Sequence, residues 1–214
     1  MISRHSKTFL TVGAIYLIFW DLALLFTGKT GSGAEIFSTV FSNSLPCRLL
    51  IGVTVLLSVN EHKAKKVSAN ITAAVCGIMA AIRFFALIMQ ITFIIKGTAV
   101  TGTAEYFEIA KFAGEILILV AAIFLMQLLV SGKFSKAVLT FSLSALVIFA
   151  AYHVADVVFA VQSMEAAGLS GIGDFLANCL TGGFILSVLG IAAYLISFTV
   201  PTGLFEKNKN EDIK

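Results

Sequence analysis

Charge is the scarcest resource in this chain. Of its 214 residues only 13% are Asp, Glu, Lys or Arg, while 58% are hydrophobic. Water-soluble domains carry about 25% charged residues, so that class is excluded. Prolines number two, Pro46 and Pro201, and no Pro-rich or Gly/Ser-rich linker splits the chain into separate domains. Few helix breakers among many Leu, Ile, Ala and Phe suit helices rather than the alternating segments of a membrane barrel. The three cysteines, Cys47, Cys76 and Cys179, form no CxxC and no closely spaced pair. A disulfide framework or zinc site is therefore not expected, and in apolar runs a cysteine ordinarily acts as a small packing residue. Histidine is equally sparse. His5 and His62 lie outside the apolar runs, so His153 has no second histidine for a haem and no HExxH for zinc. No metal or other cofactor is expected. The net charge of +3 is too small to suggest a nucleic-acid partner. The stretch "TGSGAE" at 30–35 is only a weak match to a serine-nucleophile motif and sits in a polar loop.

What remains is a succession of apolar runs, each near the ~20 residues that cross a bilayer as a helix. The reading is all-α: an integral membrane bundle of six transmembrane helices at about 8–27, 46–60, 68–96, 105–130, 136–162 and 173–200, with a polar tail at 201–214. Lys and Arg orient it. Ten of them, from Arg4 and Lys7 through Lys63, Lys65, Lys66, Lys133 and Lys136 to the tail, fall on one side. Lys29 and Lys96 fall on the other, with Arg48 at the outer mouth of span two. The bias places both termini in the cytoplasm and the protein in the cell membrane as a multi-pass chain. "MISRHSK" and the run after it look like a signal peptide, but Asp21 and the run's length predict an uncleaved first span.

Two finer features are legible. Residues 33–45 place Ile36, Phe37, Val40 and Phe41 at helical spacing, which fits an apolar turn into span two, with a surface helix as the richer alternative. Ala69, Ala73, Gly77 and Ala81 put a small residue at every fourth position of span three, the spacing that lets membrane helices approach closely. Gly182, Gly183, Ser187 and Gly190 make a looser version in span six. Contacts within the bundle are the first expectation for both, and homo-oligomerisation the second.

The ionisable residues inside the spans are the candidate site. At about 1.5 Å of rise per residue, Asp21 lies ~21 Å above the cytoplasmic Lys7, and Arg83 and His153 ~25 Å above Lys66 and Lys136. Glu115, counted back from Lys133, lies ~27 Å up. In a hydrocarbon core about 30 Å thick these heights coincide in one outer layer. Asp156 and Lys111 sit slightly nearer the outer surface. Asp21, Arg48, Arg83, Lys111, Glu115 and Asp156 comprise three charges of each sign. An unpaired charge in lipid costs at least about 2.5–3.5 kcal/mol, so these groups should face inward, toward one another or toward water. On helical spacing Glu108, Lys111 and Glu115 share a face, so Lys111 can pair with either acid. Arg83 shares its face with Cys76, Ala80, Leu87 and Gln90. His153 and Asp156 share theirs with Phe149 and Ser142, and Asn178 and Thr181 are within reach of the same region.

Short patches carry a family resemblance. "VGAIYLI" in span one, "CRLLIG" opening span two, "AAIRFFAL" in span three and "LLVSGKFSKAVLTFSLSALVIFAAYHVAD" across spans four and five are similar to a group of bacterial six-span membrane proteins, the domain-of-unknown-function family 4386. The basic turn "GKFSK" departs from that pattern in lacking a proline after its glycine. The resemblance implies the six-span topology and draws attention to Arg48, Arg83 and Asp156. It implies no activity.

Three functions fit these residues. The first is an outward-facing, charge-balanced pocket of Asp21, Arg48, Arg83, Glu115, His153 and Asp156 that binds or transports a small anionic molecule or a lipid headgroup. The second is an intramembrane enzyme with His153 as acid–base and Asp156 as its orienting partner. The third is a structural or regulatory protein whose charges only lock helices together.

Overall fold

The computed structural model describes residues 4–27, 45–96, 103–166 and 184–203, with side chains over 6–19, 46–96, 109–152 and 192–203. The expected surface segment 33–45 is thus described only at residue 45, and Asn178, Thr181 and most of the tail lie outside the described residues. Among these residues there are six α-helices and no strand: α1 (Arg4–Thr27), α2 (Leu45–Val59), α3 (Lys65–Ile95), α4 (Thr103–Ser131), α5 (Ser135–Ala166) and α6 (Phe184–Thr199). A 3-10 turn, Val200–Thr202, follows α6. Pro201 prevents further helix there, and Gly203 closes the turn in the left-handed conformation, φ 73°.

Short polar turns force antiparallel neighbours. Between α2 and α3 the chain reverses through Glu61 at φ 52°. The freed backbone groups are satisfied locally: His62 N–H donates to Leu57 O at 2.9 Å, and Ala64 N–H to His62 Nδ1 at 3.1 Å. Between α4 and α5, Gly132 at φ 69° donates its N–H to Leu128 O at 2.8 Å. Phe134, at φ 72°, takes the left-handed region without glycine's freedom, and its carbonyl accepts from Val138 N–H at 3.0 Å. Each helix packs against its neighbours in sequence, and α6 closes back on α1, so the six form a ring in chain order.

Three helices, α3, α4 and α5, are long and apolar enough to cross a membrane. The described apolar stretches of the others are shorter: Ser6–Phe19, Pro46–Val59 and Ala192–Thr202. Exposure is inverted relative to a soluble protein. Phe19, Val67, Ile78, Phe84 and Phe85 point outward, while the hydroxyls of Thr54, Thr72 and Ser197 are fully buried. A surface of this kind is unfavourable in water and suits a lipid solvent.

The core shows how sequence spacing becomes contact. The buried face of α3 is Ala69, Thr72, Cys76 and Met79, a three-and-four spacing. The small-residue stripe overlaps it only at Ala69. Ala81 is exposed, and a methyl on Gly77 would meet only Ile123 Cδ1 at 3.9 Å. The tightest approach falls instead at Gly52 of α2, where a Cβ would stand 2.9 Å from Ala14 O and 2.8 Å from Ile18 Cγ1 of α1. Between α2 and α3 the Thr54 hydroxyl meets those of Ser68 at 2.7 Å and Thr72 at 2.9 Å, and the Thr72 hydroxyl donates to Leu50 O at 3.3 Å. Hydroxyls withdrawn from water need such partners, and this chain of three sets the register of the two helices.

Candidate functional site at the α3–α4 interface

Arg83 sits one helical turn beyond the buried Met79, so the face that packs α3 into the bundle also carries its guanidinium inward. Across the interface α4 presents Phe112 and Glu115, one turn apart. Arg83 Nε lies 2.7 Å from Glu115 Oε2, and the two side chains are only 11% and 16% exposed. The guanidinium carbon stands 5.7 Å from the centre of the Phe112 ring, within cation–π range. Behind α4, the Phe149 ring of α5 packs onto Gly114, where a Cβ would come within 3.2 Å of it. Gly114 therefore lets α5 close against α4 beside the ion pair.

Heights counted from opposite ends of two helices, ~25 Å for Arg83 and ~27 Å for Glu115, meet in this contact. The partner of Arg83 was not obvious from spacing alone. On the helix surface Lys111 is a neighbour of Glu115, yet the acid also reaches across to the next helix.

Arg48 occupies the first turn of α2 and is half-buried. That is the start of span two, where the sequence put it, and the α2–α3 register adds its level relative to α3. The Thr72 hydroxyl donates to Leu50 O, two residues beyond Arg48, which sets Arg48 level with the middle of α3, about two turns short of Arg83. Arg83, Glu115 and Phe112 thus meet between α3 and α4, with Arg48 of α2 about two turns away along the bundle. Guanidinium groups are planar, permanently charged and suited to bidentate capture of carboxylate or phosphate.

Asp21 lies on α1, and His153 and Asp156 lie on α5. Their side chains are outside the described set, so the reading of His153 and Asp156 as a catalytic pair rests on helical spacing alone. Lys111 is half-buried on α4, one turn from Glu115. Among the described residues no group of three or more His, Cys, Asp or Glu could hold a metal.

A separate open cleft of about 640 Å³ lies at the end of the bundle where α2 turns into α3. Lys7, Thr11, Asn60 and Glu61 line it, and Lys7 Nζ stands 3.9 Å from Glu61 Oε1 across an exposed edge. It is distant from the arginine cluster, at the end rich in Lys, and its ion pair is too solvated to matter energetically.

Comparison of the chain with family models, curated proteins and solved structures gives no match.

Proposed function

We propose that this is a multi-pass membrane protein of six spans with both termini in the cytoplasm, in which Arg48 and Arg83 bind a small anionic molecule or a lipid headgroup. The observation that carries the reading is the Arg83–Glu115 pair held nearly out of solvent, with a second arginine, Arg48, about two turns away on the neighbouring helix. Placing charge inside an apolar helix bundle is unfavourable unless it is partnered, and such groups mark binding sites more often than chance placement. Among the described residues two arginines stand here to one acid, which favours an anion. The apolar outer surface and the lysine-rich turns at 60–66 and 132–136 support the topology. The likeness to domain-of-unknown-function family 4386 belongs to the same proposal and adds topology, not chemistry.

Native mass spectrometry of the purified full chain tests the binding. The wild type should retain an anionic lipid or metabolite, and Arg48→Gln should release it while the protein stays folded. A wild type that carries no adduct, or an Arg48→Gln protein that carries the same one, overturns the reading. A purely structural role is the competing reading, favoured by the 2.7 Å closure of Arg83 on Glu115. It expects Arg83→Gln to lower thermal stability and Arg48→Gln to leave any bound lipid in place.

A further inference from the structure

Cys47 and Cys76 are far apart in sequence, and nothing in their spacing links them. The fold joins them. Both are free thiols, 1% and 0% exposed, on facing helices. Both belong to one buried cluster at the α2–α3 interface. The neighbouring contacts support that register independently: Thr72, one turn before Cys76, bonds both Thr54 and Leu50, which follow Cys47 along the antiparallel α2. Packing alone would be served by alanine or serine on either side. Two thiols placed in contact can also do chemistry that no single cysteine can.

We propose that Cys47 and Cys76 form a reversible dithiol–disulfide couple whose oxidant is a lipid-soluble quinone. Each thiol gives up one hydrogen, an S–S bond forms between the two sulfurs, and the quinone takes up two electrons and two protons and leaves as the quinol. The sulfurs need only close the remaining gap to the bonding distance of about 2.05 Å. The oxidant class follows from location. Cys76 lies ~16 Å along α3 from Lys65, about half-way through an apolar layer. A charged, water-soluble oxidant does not reach that depth, whereas a quinone partitions there. Closure ties the start of α2 to the middle of α3 next to Arg48, so the oxidation state of the pair sets how freely that arginine can move.

The test uses the full chain, purified reduced and reconstituted in liposomes. A short-chain benzoquinone is added, the protein is denatured and alkylated, and the peptides are mapped. The expected result is loss of both thiols together, a peptide cross-linked at Cys47 and Cys76, a mass lower by two hydrogens, and recovery of both thiols with a membrane-permeant reductant. In Cys47→Ser, Cys76 should stay reduced under the same treatment. Persistence of both thiols in the wild type overturns the proposal, as does a cross-link that involves only Cys179. Oxidation of the pair by ferricyanide but not by the quinone overturns the assignment of the oxidant.

Discussion

Neutralising one half of the Arg83–Glu115 pair should be expensive, and neutralising both should not. In Glu115→Gln the guanidinium remains in an apolar interface, with its side chain 11% exposed and no anion at 2.7 Å. Removing one partner of a buried ion pair costs about 3–5 kcal/mol, because the survivor keeps its desolvation penalty and loses the opposing charge. Arg83→Gln should lose a similar amount, since Glu115 is only 16% exposed. The double variant carries two neutral amides that can hydrogen-bond to each other, and its loss should be below ~2 kcal/mol. Equilibrium unfolding in mixed micelles, run as a double-mutant cycle, reads all four species. The coupling energy should exceed ~2 kcal/mol. Single losses under ~1 kcal/mol that simply add in the double variant would show that the two groups are solvated and independent, and the argument from burial would be wrong.

Other outcomes follow from the same contacts. Phe112→Leu keeps the apolar volume and removes the ring under Arg83, so it should cost about 0.5–2 kcal/mol in the same unfolding assay, and nothing further in an Arg83→Gln background. Gly52→Ala drives a methyl against Ala14 O and Ile18, and should destabilise the protein by about 1–3 kcal/mol. Gly77→Ala, with its nearest neighbour at 3.9 Å, should be neutral or slightly stabilising in the same assay. Thr72→Val removes the donor to Leu50 O and the partner of Thr54, and should cost about 0.6–1.7 kcal/mol in thermal unfolding. Glu61→Gln should leave stability unchanged at physiological salt, because its contact with Lys7 is long and exposed.

Sequence reasoning reached the ion pair by a route that needed no fold. Apolar spans have a fixed rise per residue and flanking lysines mark their ends, so Arg83 and Glu115 could be assigned to one level before their helices were known to touch. What it could not supply was azimuth and register. Height says nothing about which helices are neighbours, so Lys111 was as good a partner for Glu115 as Arg83. Arg48 could be put at the start of its span but not at a level relative to Arg83, because that needs the contact of Thr72 with Leu50. The small-residue stripe on α3 packs into the bundle at Ala69 and Ala73 but is not its closest contact: a small residue permits close approach but does not demand it, and the demand fell on Gly52, where no repeat drew attention. The hydroxyl chain of Thr54, Ser68 and Thr72 leaves no local signature, since each residue is an ordinary polar interruption until two helices are aligned. Asp21, His153 and Asp156 keep the status that spacing gave them.

The ring of helices in chain order has a consequence for biogenesis. Every large interface except one joins segments adjacent in sequence. On the proposed six-span topology, each newly inserted helix therefore finds its partner already waiting, and Arg83 meets Glu115 as soon as α4 arrives, before α5 or α6 has been synthesised. A translating ribosome never has to leave that arginine alone in the lipid for longer than one loop. The exception is the seam between α6 and α1, which stays open until the end of synthesis. Gly13 and Ser197 face each other there. Closing that seam is the one step in which the first and last parts of the chain must find each other.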